Sequence, residues 1–135
     1  MYLVDSSVLI AYLREISNPA TVYLSQILTR NLPFGITSHI FQEILQGSAS
    51  SRDFKQLSIY LSTQRFYHPL DPLLSYQSAA EIYFKCRNKG IIIRSTIDCI
   101  IAQIAIEHDV LLLHDDRDFK YIQQIAPQLK LVEFN

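Results

Sequence analysis

Apolar and polar positions along the chain fall into blocks whose period switches repeatedly between strand-like and helix-like. Met1 to Val4 is a short apolar run of strand length that ends on Asp5. Ser6 and Ser7 precede an apolar segment, Val8 to Leu13, that predicts a first helix. Asn18-Pro19 is a helix start, because Asn accepts from free backbone N–H groups and proline at the first helical position loses nothing. That helix carries Val22, Tyr23, Ile27 and Leu28 to about Thr29. Phe34 to Thr37 predicts a second strand, Ser38 a cap, and His39 to Gln46 a helix that Gly47 ends. Ser50 and Asp53 open a further helix with Phe54, Leu57 and Leu61 on one face. Arg65 to Leu70 predicts a third strand. Asp71-Pro72 repeats the cap-plus-proline start of a helix that Gly90 closes, and Glu81 and Lys85 stand one turn apart on it.

Ile91 to Ile93 then links to the stretch that organises the rest. Ser95 stands three residues before Asp98, a capping-box spacing, and Ile100, Ile101, Ile104 and Ala105 follow at helical intervals. His108-Asp109 breaks that pattern, Val110 to Leu113 is a buried strand, and Asp115, Asp116 and Asp118 form an acidic loop. Lys130 to Phe134 closes the chain as a last strand. Strands alternating with helices predict an α/β fold: a three-layer α/β/α sandwich with a mainly parallel central sheet.

Composition narrows the picture. With 135 residues, 49% hydrophobic, 3 Gly and 5 Pro, one ordered domain over residues 1–135 is expected. A formal net charge of -1 favours no polyanionic partner, so a nucleic acid would need a local basic patch. Cys86 and Cys99 lack CxxC spacing and read as core thiols of a reducing compartment. No apolar run approaches the roughly 20 residues that span a bilayer, and the N-terminus does not read as a signal peptide. A cytoplasmic protein without a membrane partner is expected.

The candidate chemistry lies in the carboxylates. Asp5 ends the first strand, Glu43 follows the second by about two helical turns, Asp98 starts a helix, and Asp116 follows the strand Val110 to Leu113. In parallel α/β sheets, sites form outside the carboxyl ends of strands. Each acid alone is explained by a cap or a solvated loop. Together they would repel and take up protons unless a cation is present. Hard cations such as Mg²⁺ or Mn²⁺ favour oxygen ligands, and they activate water and stabilise charge on a phosphodiester.

Four segments carry a resemblance. They are Leu3–Ile10 with Arg14, Gln42–Gly47, Asp98–Ala102 and Leu112–Phe119, with Tyr83 and Arg87–Gly90 between the second and third. In order and spacing, from about residue 1 to about residue 126, the chain resembles PIN-domain proteins, specifically VapC-type toxin ribonucleases. The resemblance implies a PIN-like fold and a Mg²⁺- or Mn²⁺-dependent endoribonuclease, the toxin of a type II toxin–antitoxin pair. It further implies an RNA substrate, a cognate antitoxin and a homodimer. The family's four acids fall on Asp5, Glu43, Asp98 and Asp116, as catalytic and metal-binding residues. Asp118 falls on a further acidic position, and Ser7 on a polar one that supports the first acid. His114 stands where many relatives carry Thr or Ser; it can orient a ligand, reach a phosphate, or simply top its strand. That Asp116 rather than Asp115 faces the metal follows from the family pattern alone.

Among the basic residues Arg14, Arg52, Lys55, Arg94 and Arg117, the pair Arg94 and Arg117 flanks the acids most closely and is expected to contact RNA phosphates. Phe41 and Phe119 are expected to wall the pocket. His39 and Glu43 share a zinc-like spacing but lack a third ligand, and Cys99 lacks an activating histidine in sequence. Two other functions compete. A phosphoacceptor receiver module needs an acid pair after the first strand, where Asp5 stands alone. A PIN-like nuclease acting on structured DNA would use the same acids.

Overall fold

In the computed structural model, which describes residues 1–134, five short parallel strands form one sheet in the order β3-β2-β1-β4-β5. They are β1 (Tyr2–Val4), β2 (Phe34–Ile36), β3 (Arg65–Phe66), β4 (Leu111–Leu113) and β5 (Lys130–Leu131). Leu3, Val4, Ile36, Leu112 and Leu113 are fully buried, as strands covered on both faces require. The helices are α1 (Ser6–Leu13), α2 (Pro19–Thr29), α3 (Ser38–Gln46), α4 (Ser51–Ser62), α5 (Leu74–Asn88), α6 (Thr96–His108) and α7 (Asp118–Ile125). α1 to α4 pack among themselves, as do α5 to α7, giving the two helical layers of an α/β/α sandwich.

The chain runs outward from β1 to β2 and β3, then crosses back to place β4 on the other side of β1. That reversal opens a crevice beyond the carboxyl ends of β1 and β4. The Asp5 N–H donates to the Leu113 carbonyl at 2.9 Å, so the ladder continues one residue past β1 and fixes the backbone of the first acid. β2 owes its close neighbour to Gly35. A Cβ there would lie 2.5 Å from the Tyr67 ring and 2.8 Å from the Arg65 carbonyl, so only glycine fits.

Local structure departs from the sequence pattern in several places. Thr37, not Ser38, caps α3, accepting from Ile40 N–H at 3.2 Å. α5 starts at Leu74 rather than at Asp71-Pro72. Asp71 Oδ1 still serves its first turn, accepting from the N–H groups of Leu73 and Leu74 at 2.8 and 2.7 Å. The third strand stops at Phe66 and the last at Leu131, and the two form the edges of the sheet. The acidic loop ends sooner than the sequence suggests, because Asp118 already opens α7, whose Phe119 and Ile122 are fully buried. No described helix is long and apolar enough to cross a membrane.

Candidate active site

The crevice gathers acids from four parts of the chain. Asp5 is the N-cap of α1: its Oδ2 accepts from the Ser7 N–H at 3.1 Å and the Ser7 hydroxyl at 2.6 Å. The same hydroxyl oxygen accepts the Asp115 N–H at 3.1 Å, so Ser7 clips the end of β1 to the loop after β4. Ser6 donates its hydroxyl to Glu43 Oε2 at 2.9 Å, tethering α3 to α1. Ser95 caps α6 through the Ile97 N–H at 3.3 Å. Asp98 sits in the first turn of that helix, and its carboxylate turns toward the other acids.

One oxygen each from Asp98, Asp116 and Asp118 lies within 4.8 Å of the others. Asp5 and Glu43 stand outside that ring of three but within its field. Burial, followed by the charges of Asp5, Asp116, Asp118 and Glu43, pushes Asp98 up to about 7. Burial also raises Asp5 to about 6, against the two Ser7 hydrogen bonds and with the charges of Glu43 and Asp116. Two carboxyls near neutrality beside further acids mark a site short of positive charge. Its donors are all oxygens, the set that suits a hard divalent cation, so these residues fit such an ion.

A PIN-domain family model matches residues 2–124. The chain belongs to the PIN-domain family. It is 29% identical over 127 residues to the VapC ribonuclease Mb1587 of Mycobacterium bovis, covering 93% of this chain and 94% of that protein. Ribonuclease VapC11 of Mycobacterium tuberculosis matches at the same identity and coverage. Among solved structures, VapBC2 from Rickettsia felis bound to a promoter DNA fragment matches with TM-score 0.72 and 20% identity, over 99% of this chain and 98% of that one. VapBC-1 from nontypeable Haemophilus influenzae matches with TM-score 0.67 and 16% identity, over 98% and 96%. These two likenesses place the fold.

Within this PIN fold the expected residues take distinct positions. Asp116 joins the ring while Asp115 turns outward, accepting from Asn18 Nδ2 at 3.3 Å. Asp118, expected only as a supporting acid, is a full member of the ring and is buried. His114 is buried at the end of β4; its Nδ1 accepts the Asp116 N–H at 3.3 Å. Burial holds its imidazole below the usual histidine range, and the charges of Asp115 and Asp116 do not reverse the effect. Arg94 lies across the acids, with Nη2 on Asp116 Oδ1 at 2.8 Å and Nε on Asp118 Oδ2 at 3.2 Å. Arg117 is exposed just before α7.

Lys120, which the sequence reading missed, joins Ser7, Arg94, His114, Asp116 and Arg117 around a groove of about 560 Å³. Recognising α7 would have found it, since Lys120 follows Arg117 by three residues on one face. Phe119 does not wall the groove. It is fully buried behind His114, at a ring separation of 5.3 Å. Phe41 packs on Phe66 instead. His39 faces Tyr76 and joins no ligand set among the described residues. Burial pushes the Cys99 thiol up to about 12, too high for a nucleophile.

Proposed function

We propose that this PIN-domain protein is a metal-dependent endoribonuclease and the toxin of a type II toxin–antitoxin pair, like the VapC ribonucleases to which it is similar. The observation that carries the reading is the ring of Asp98, Asp116 and Asp118 with Asp5 and Glu43 in its field. These residues would hold Mg²⁺ or Mn²⁺. When bound, such an ion supplies Lewis acidity toward a phosphodiester and lowers the pKa of water.

The chain's own residues do the positioning. Ser7 fixes Asp5 and the backbone of Asp115, and Ser6 fixes Glu43. The buried His114 holds the Asp116 turn, its Nδ1 accepting the Asp116 backbone N–H. Arg117 and Lys120 line the groove beside the acids and are placed to take RNA phosphates. An apolar groove of about 660 Å³ among α1 to α4, lined by Leu9, Leu13, Leu28, Leu57 and Tyr60, suits the amphipathic helix of an antitoxin. Exposed Leu73, Leu74, Tyr76 and Phe84 along α5 suit a homodimer contact. Two buried free thiols suit the cytoplasm, where RNA is met.

The test is cleavage of labelled RNA in Mg²⁺ or Mn²⁺, with DNA of the same sequence alongside. RNA cleavage that EDTA and Asp98→Asn each abolish is expected. Undiminished cleavage under either condition, or a preference for DNA, rejects the reading.

A further inference from the structure

Arg94 belongs to the segment between α5 and α6, outside regular structure, yet its backbone is fixed. The neighbouring Ile93 is buried, and the Arg94 N–H donates to Asp118 Oδ2 at 3.2 Å. The side chain behaves differently. It is 62% exposed, while the carboxylates it grips are 24% exposed for Asp116 and 3% for Asp118. A largely solvated cation therefore pairs with two acids, one of which its own backbone helps to place.

The acids it covers are the ones a divalent ion would need. A guanidinium beside them opposes a second cation by charge alone, whatever its exact pose. It also stands at the edge of two depressions. One, of about 450 Å³, is lined by Gly90, Ile91, Ile92, Arg117, Asp118 and Tyr121. The other is the groove that holds Arg117 and Lys120. Arg94 lines that groove together with Arg117 and Lys120, so a guanidinium released from Asp116 would have a phosphate site between basic residues within its reach.

We propose that Arg94 is an exchange residue: its guanidinium neutralises Asp116 and Asp118 while they hold no divalent ion, and passes to a substrate phosphate when the ion takes them over. The proposal rests on the metal-dependent reading above and adds a coupling to it. Metal and RNA each release Arg94 toward the arrangement the other favours, so each strengthens the other's binding.

Mn²⁺ binding to the full chain, followed by the resonance of free Mn²⁺, tests this without any cleavage. Without RNA, Arg94→Gln is expected to bind Mn²⁺ roughly two- to tenfold more tightly than wild type. Arg94→Lys keeps the charge and is expected near wild type. With a saturating phosphorothioate RNA hexamer, which resists cleavage, the gap between wild type and Arg94→Gln is expected to close. Equal or weaker Mn²⁺ binding by Arg94→Gln overturns the proposal alone and makes Arg94 a positioning residue. A gap that persists with RNA overturns the exchange step. Failure of every variant to take up Mn²⁺ overturns the proposal together with the metal reading.

Discussion

The two sides of the acidic crevice are held by opposite means. On the α7 side, Asp116 and Asp118 are gripped by the Arg94 guanidinium. On the α1 side, Asp5 and Glu43 are held by the hydroxyls of Ser7 and Ser6. A guanidinium organises and neutralises at once; a hydroxyl organises and leaves the charge in place. Burial first, and the charges of the neighbouring acids after it, raise the Asp5 and Asp98 carboxyls to about 6 and about 7. The crevice combines one edge paired with a guanidinium and one edge left unpaired, and a divalent cation in the ring would have to take Asp116 and Asp118 over from Arg94.

The sharpest way to break this contrast is Asp98→Asn, which removes the most strongly perturbed charge. Cleavage is expected to fall by about a thousandfold or more, as for loss of a metal ligand. The metal-free protein is expected to gain about 1–2 kcal/mol at alkaline pH, part of the repulsion being screened by solvent. A loss of both activity and stability would show that Asp98 is structural. Asp118→Asn comes next. Its place in the ring predicts a cleavage loss of about a hundredfold, where a merely supporting acid would lose little.

The third test is pH. Folding raises the Asp5 and Asp98 carboxyls above their ordinary 3.8, so the folded chain binds these protons more tightly than the unfolded one. Their contribution is fully present below pH 3.8 and is lost as pH rises through about 6 and about 7. In EDTA the melting temperature is expected to decline between about pH 5 and pH 8, and Mn²⁺ at pH 8 to restore it by binding the folded state. A melting temperature that Mn²⁺ does not move would count against a cation site in the crevice. Ser7→Ala is expected to cost about 1 kcal/mol of stability and about tenfold in cleavage, since two hydrogen bonds depend on one oxygen. Ser6→Ala should cost less. Smallest of all, Arg117→Ala and Lys120→Ala should leave stability unchanged and each lower the salt dependence of RNA binding by about one phosphate contact.

Much of this was readable in the sequence because its signals are local. Apolar runs marked β1, β2 and β4, and Asn18-Pro19 marked α2, whose capping box with Thr21 is present in full. The order of the acids against those strands anticipated the crevice beyond β1 and β4. α7 was hidden because Asp115, Asp116 and Asp118 read as a loop, although Phe119, Ile122 and Ile125 carry the helical period. Missing it demoted Asp118 and concealed Lys120. Arg94 was legible as a basic residue near acids. That it grips two of them depends on a contact across 24 residues, which no local pattern encodes.

The Ser7 hydroxyl joins residues 108 positions apart, and β1 lies between β2 and β4 in the middle of the sheet. Cutting the chain before β4 would therefore remove both the strand that anchors Asp5 and the loop that carries Asp116 and Asp118, so the two sides of the crevice stand or fall together.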